Sequence, residues 1–336
     1  MRVSLAQFLA AVAALVVLIG LVLAACTPSH PQSTFDASGP VAGMERNVFY
    51  WIFWAAVFVF VTVGGVLVYT FVRFRNGEGI PRQVHGNRRL EIAWTLAPAV
   101  VLAVVAVPML LTLFRVSSPP AGEVAVNVKV VAHQWWWEVQ YPDLDIVTAN
   151  ELHIPVGRVV DVTLTSNDVI HSFWVPKLGG KIDVIPTRTT SIWLKADKSG
   201  TYFGQCAEFC GISHGNMRFR VIAKPQAEFD AWAEAQRGPA AQVTGEAERG
   251  AQLFVAKGCL ACHTIRGTLA MGKIGPDLTH VGGRTTIAAG LLDNTPEDLA
   301  RWLRDPPEVK PGANMPNLKL SGEEVSALVA YLQALK

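Results

Sequence analysis

Charge is what this sequence has least of: only 17% of its 336 residues are charged, against 51% hydrophobic, and the formal net charge is +2. No run of Lys or Arg and no glycine loop of the phosphate-cradling kind appears, so a nucleic-acid partner is excluded. Cysteine is nearly as sparse, with five in all. Cys206 and Cys210 form one short cluster, Cys259 and Cys262 another, and Cys26 follows an apolar run. None is left over for a structural disulfide framework. What remains is a chain too long for one ordinary domain and too apolar for an ordinary soluble one, which implies a membrane-attached, multi-domain protein.

The apolar residues are concentrated near the start. Met1 to Ala25 carries one early positive charge, Arg2, and then an uncharged run from Leu9, which reads as a secretory signal. Leu23-Ala-Ala-Cys26 resembles the bacterial lipoprotein cleavage box, making Cys26 the expected lipidated first residue; a retained first membrane helix is the competing reading. Residues 26–46 read as a linker by their Pro, Ser and Gly content. Val48–Val72 and Ile92–Phe114 lack charge and are each long enough to cross a bilayer as helices, despite Pro98 and Pro108 in the second. The loop between them holds Arg73, Arg75, Arg82, Arg88 and Arg89 against Glu78 and Glu91. The positive-inside rule places that loop in the cytoplasm and everything after Phe114 outside a bacterial cell membrane crossed twice.

From residue 122 to 224 the pattern changes to short β-rich runs: Val124–Val131, Trp135–Gln140, Glu151–Ile154, Val159–Thr165, Thr189–Leu194 and Arg218–Ile222. Pro, Gly, Asn and Asp punctuate them, which predicts an antiparallel β-sandwich or barrel. If Trp135-Trp-Trp137 lies in a strand, Trp135 and Trp137 share one face and Trp136 takes the other. Within this region runs the order Cys206-x-Glu208-x-Cys210-x-x-x-His214-x-x-Met217. Thiolate, imidazole and thioether are soft ligands that suit copper better than magnesium or calcium. A second imidazole is needed, and His171 in Val169-Ile-His-Ser-Phe-Trp-Val-Pro176 is the candidate. A Cys206–Cys210 disulfide is the competing reading.

Residues 225–244 suggest a helix around Phe229–Gln236 followed by a linker, and residues 245–336 form a third unit. Cys259-Leu-Ala-Cys262-His263 is the attachment sequence of a c-type haem, with His263 as one axial ligand. Met315, in Asn314-Met-Pro316, is the expected opposite ligand, because Met271 lies too close to His263 in sequence to reach the far face of the macrocycle. Zinc binding or dithiol redox chemistry would be the alternative use of Cys259 and Cys262. The surrounding signals are helical: Glu246–Lys257, a helix capped by Thr295 with Pro296 in its first turn, and a capping box at Ser321 and Glu324. Gly250 is expected to let Tyr331 on the last helix approach closely.

Taken together these motifs resemble subunit II of the haem-copper cytochrome c oxidases, in the form that carries a fused class I cytochrome c. The resemblance implies a two-helix transmembrane hairpin, an all-β cupredoxin-like sandwich and a small all-α cytochrome c domain. It implies a binuclear copper A centre, with Cys206 and Cys210 as bridging thiolates and His171 and His214 as imidazole ligands. Met217 and the backbone carbonyl of Glu208 would be weak ligands. It further implies a magnesium site at the subunit boundary reached by the Glu208 carboxylate, an electron-receiving surface at Trp135, and contacts from Asp183 and Arg188 to the catalytic subunit. Glu91 would stand near the mouth of a proton-uptake path. No oxygen-reducing constellation exists in the chain, so the expected function is a relay: an external donor, such as a cytochrome c or the preceding respiratory complex, to haem c, to copper, to catalytic subunit I. A membrane-anchored carrier outside any oxidase, or a subunit of a nitrogen-oxide reductase, would share these motifs. Over residues 122–222, ten acids face nine bases, too even a balance to steer a separate basic cytochrome; a tethered haem needs no such steering.

Overall fold

Pro40 sets where the first long helix begins. Its fixed φ and missing N–H suit the first turn of a helix, and α1 runs Pro40–Phe74, eight residues ahead of the start its hydropathy predicts. The computed structural model describes residues 30–75 and 85–336, with Ala14, Val17, Leu18, Gly20, Leu21 and Gln83; Cys26 and the lipoprotein-like box lie outside the described residues. The second helix, α2, spans Arg88–Val116 and also starts early, because Asn87 caps it through bonds from the amides of Arg89 and Leu90. Glu91 completes that cap by accepting from the Asn87 amide at 3.2 Å. Both helices have strongly apolar central stretches, mean hydropathy 2.3 and 2.5, which nothing among the described residues buries. That pattern is what a lipid environment demands.

The outer ends of the hairpin are fastened to the β-domain. Ala42 N–H donates to Leu178 O at 3.2 Å, and Val41 packs with Val159 and Trp193. Trp193 Nε1 donates to Val116 O at 3.1 Å, so the last turn of α2 is tied to the same place.

The β-domain is a sandwich of two five-stranded sheets. One has the order β3-β2-β1-β5-β8 and the other β4-β10-β9-β6-β7. The strands are β1 Val124–His133, β2 Trp136–Tyr141, β3 Ile146–Ala149, β4 Glu151–Pro155, β5 Val159–Ser166, β6 His171–Trp174, β7 Lys181–Val184, β8 Thr190–Leu194, β9 Gly200–Cys206 and β10 Arg218–Lys224. The sheets are mixed rather than purely antiparallel: β1 pairs β5, and β4 pairs β10, in parallel. Those pairs arise because the chain crosses between sheets before returning, which short-range patterning does not reveal. Trp137, Phe173 and Phe219 meet ring to ring in the core at 4.4–5.6 Å. Gly204 lies directly beneath the Phe219 ring, where a Cβ would collide with it. The tryptophan triplet departs from strict alternation: β2 begins at Trp136, so Trp135 sits in the preceding turn, and only Trp137, 1% exposed, is core.

Helix α3, Gln226–Arg237, lays Phe229 and Ala233 against the sandwich, and Trp232 stacks on His153 at 4.2 Å. The cytochrome unit then pairs α4, Glu246–Ala256, with a last helix, Gly322–Ala334. Gly250 is the point of closest approach: a Cβ there would collide with Ala327 O and come within 2.6 Å of Tyr331 Cβ. The Thr295 cap and the Ser321–Glu324 capping box form as their residues predict.

Candidate metal centre and haem pocket

Pairing of β6 with β9 builds the metal centre. The register Phe173↔Cys206 brings His171, at the start of β6, beside the end of β9. Cys206 N–H donates to Met217 O at 2.9 Å, and Ala207 N–H to Ser172 O at 2.9 Å, so the loop carrying the remaining ligands is pinned at its root. Cys206 Sγ and Cys210 Sγ lie 3.8 Å apart. A disulfide requires about 2.05 Å, so the two thiols are separate, and the disulfide alternative is set aside. His171 Nδ1 is 3.9 Å from Cys206 Sγ, and His214 Nδ1 is 3.6 Å from Cys210 Sγ. Each sulfur thus has its own imidazole. Met217 Sδ lies 3.9 Å from Cys210 Sγ, and Glu208 O lies 3.3 Å from Cys206 Sγ. The ligand atoms of His171, Cys206 and Cys210 all fall within 4.8 Å of one another.

A soft sulfur–nitrogen set of this kind fits copper. His171 and Met217 are fully buried, while His214 is half-buried and the most open of the set. The contact between the two sulfurs holds the Cys206 thiol far below its ordinary value and, with burial, pushes Cys210 up. Metal binding requires both as thiolates.

Asp168 is a site residue that the motif reading missed. Its Oδ1 lies 2.7 Å from His171 Nε2, on the side of the ring away from Cys206. Burial alone would raise its carboxyl, yet the His171 ring and the amides of Val169 and Gln134 outweigh burial and hold it below the usual carboxylate range. Gln134 adds a second support, donating from Nε2 to Cys210 O at 2.7 Å. Trp135 donates from its indole Nε1 to the same carbonyl at 3.0 Å. An acid three residues before a candidate His ligand was a usable sequence signal; for Gln134 there was none.

The haem pocket is a cavity whose walls include Cys259, Cys262, His263, Trp302 and Met315. Cys259–Ala261 forms a single 3-10 turn after α4, which spaces the two thiols. His263 donates from Nδ1 to Pro276 O at 2.8 Å, leaving Nε2 free to face the cavity. Burial lowers its imidazole, keeping it neutral as a ligand must be. Gly275 lies against the ring, where a Cβ would come within 2.6 Å of Cε1. Met315 lines the cavity, while Met271 is 78% exposed. The donor set therefore fits a c-type haem.

The cavity has a further wall from the other domain: Gln134, Trp135, Trp136 and Asn150 of the sandwich line it. Trp135 therefore lines this chain's own haem pocket while its indole donates to the Cys210 carbonyl. Lys310 lies at the same boundary, and burial pulls its ammonium down to about 7. Asp183 and Arg188 are both exposed and form no ion pair with each other among the described residues. The Glu208 carboxylate points outward, 3.9 Å from Lys181 Nζ.

Fold and sites together define a membrane-anchored β-sandwich redox protein continuous with a c-type cytochrome. Residues 28–112 match the transmembrane domain of cytochrome c oxidase subunit II, residues 144–224 its periplasmic domain, and residues 247–336 the cytochrome c family. Cytochrome c oxidase subunit 2 of Alkalihalophilus pseudofirmus is 38% identical over 325 residues, covering 94% of each chain. That of Bacillus subtilis is 34% identical over 345 residues, covering 96% of each. The solved periplasmic domain of subunit II of cytochrome oxidase from Bradyrhizobium japonicum is 33% identical, spans 35% of this chain and 97% of its own, and superposes with a TM-score of 0.34. The chain belongs to the cytochrome c oxidase subunit II family, in a form joined to a cytochrome c domain, and family membership implies haem and copper.

Proposed function

We propose that the chain is the electron-input subunit of a terminal cytochrome c oxidase. An external donor, a cytochrome c or the preceding respiratory complex, delivers electrons to one covalently held haem c; they pass to a binuclear copper A centre and on to the haem-copper catalytic subunit I, where oxygen is reduced. Cys259 and Cys262 would attach the haem, and His263 and Met315 would be its ligands from the protein. Cys206, Cys210, His171, His214, Met217 and the Glu208 carbonyl would hold the copper pair. Both groups, when bound, accept and release one electron at a time.

The chain's own residues supply position and insulation. Asp168 orients the His171 ring and the Pro276 carbonyl orients the His263 ring. The core rings of Trp137 and Phe173 back the metal loop, so its ligands keep one arrangement through successive electrons. Both redox domains lie on the outer face, periplasmic or extracellular, a reading that the Arg-rich loop between the membrane helices supports through the positive-inside rule. The Glu208 carboxylate is free to reach magnesium at the boundary with the catalytic subunit, near Asp183 and Arg188. Glu91 stands at the cytoplasmic end of α2, where a proton-uptake path would begin, and Cys26 would carry the lipid.

The observation that carries this reading is that Trp135, whose indole donates to the Cys210 carbonyl, also lines the cavity walled by Cys259, Cys262, His263 and Met315. Metal and haem analysis of the purified protein tests it. Cys210→Ser is expected to abolish the near-infrared band of mixed-valence copper and leave the c-type haem spectrum intact. Loss of both, or a wild-type protein holding iron but no copper when copper is supplied, would overturn it.

A further inference from the structure

The contacts between the sandwich and the cytochrome domain are built into both. Glu151, on β4, is 1% exposed. Its Oε1 accepts from the amides of Thr285 at 2.8 Å and Thr286 at 2.9 Å, and from their hydroxyls at 2.5 Å and 3.3 Å. A carboxylate removed from water is tolerated only when charge-assisted bonds replace its hydration. Here those four bonds exist only while the two domains are together.

On the other side of the interface the relation is reversed. Lys310, from the cytochrome domain and 4% exposed, donates to Trp135 O at 2.5 Å and to Ala288 O at 3.2 Å. Among the described residues no carboxylate pairs with it. Between these two anchors, Arg218 N–H donates to Ala289 O at 3.0 Å, Arg220 Nη2 to Gly290 O at 3.2 Å, and Ser213 Oγ to Pro311 O at 2.5 Å. Gly312 packs so closely on the indole that a Cβ would lie 2.8 Å from Trp135 Cη2. A domain that found its partner by tethered encounter would have no use for a buried carboxylate and a buried ammonium with their partners across the boundary.

We propose that the haem domain is permanently docked on the copper domain, with Glu151 as the latch and Lys310 as the residue that positions Trp135 between the haem pocket and the Cys210 carbonyl. The inference rests on the relay proposed above and deepens it. In that step one electron is lost by the haem and gained by the copper pair, with no bond made or broken and no proton required. Because the domains do not separate, the step is a fixed-geometry transfer, and the segment near residues 238–245 does not set its rate. An external donor must then reach the haem from a side other than the Trp135 face.

The test uses the full chain with haem and copper bound. Flash photoreduction of the haem, followed by the near-infrared copper band, gives the intramolecular rate; amide exchange at Arg218 reports docking directly. Wild-type protein is expected to show a rate indifferent to viscosity and to an insertion that doubles the 238–245 segment, with slow Arg218 exchange. Glu151→Ala is expected to speed Arg218 exchange, to make the rate fall with viscosity, and to expose a dependence on the insertion of about threefold. Lys310→Met is expected to slow transfer while leaving exchange at Thr285 and Thr286 unchanged. A wild-type rate that falls with viscosity or with the insertion overturns the docking. So does Glu151→Ala protein with unaltered exchange and rate. If Glu151→Ala fails to fold, wild-type viscosity and insertion data decide alone. A haem that stays reduced beside oxidised copper would sink the relay and leave Arg218 exchange to decide the docking, whereas transfer that tracks viscosity sinks only the docking.

Discussion

Asp168 Oδ1 and His171 Nε2 lie 2.7 Å apart, so the carboxylate holds the imidazole by the nitrogen that does not face sulfur. This fixes the tautomer and leaves Nδ1 for a metal. Partners of this kind, one step removed from the ligands, typically change metal affinity by about 10–100-fold when altered. Asp168→Asn is expected to weaken copper binding within that range in a chelator competition, with the haem spectrum unchanged. Unaltered affinity would mean that the sheet alone holds the ring.

The two methionines near the haem motif have opposite environments. Met315 lines the cavity, and Met271 is 78% exposed. A thioether axial ligand raises the haem potential, so Met315→Leu is expected to lower the midpoint potential of the c-type haem and to change its axial-ligand absorption. Met271→Leu is expected to change neither. A potentiometric titration in which the two variants exchange these results would reassign the ligand.

Much of this architecture was legible because its signals are local. The copper loop and the haem motif are fixed spacings, and the caps at Thr295 and Ser321 depend on neighbours three residues away. Four strands escaped. β3, β6 and β7 have only four residues each, too few to show a period, and β9 is interrupted by Gly200 and Gly204. Yet β6 and β9 are the strands that bring His171 to Cys206, so the fold around the site was less readable than the site. Glu151 and Lys310 were hidden for a different reason. Their partners lie 134 and 175 residues away, and nothing in their own neighbourhoods marks them. The helix starts at Pro40 and Arg88 were missed because hydropathy marks where lipid begins, whereas a cap marks where hydrogen bonding begins.

Gly250 tests the packing of the cytochrome domain. An added Cβ would meet the Ala327 carbonyl and Tyr331 Cβ, so the two helices would have to move apart. Overpacking of this kind costs about 1–3 kcal/mol. Gly250→Ala is expected to lower the thermal midpoint of the haem domain, followed by the haem absorption, without altering the copper band. A midpoint equal to wild type would show that the helices separate at no cost.

The latch also makes a prediction in pH. Burial pushes the Glu151 carboxyl up, but His153, the Thr285 bonds and the Arg284 charge outweigh it, and the net shift is downward; Arg220 is a further cation facing it. A carboxyl whose folded value lies below its unfolded value, about 4.3, contributes stability that is complete above the unfolded value. That contribution is lost as pH falls through the lower folded value. Wild-type docking is therefore expected to hold at neutral pH and weaken only in acid below about pH 4.3. Amide exchange at Arg218, corrected for its intrinsic pH dependence, reads this directly. In Glu151→Gln the amide oxygen can still accept but cannot titrate, so docking is weaker throughout and this acid limb is absent. Identical acid profiles in the two proteins would remove Glu151 as the titrating latch.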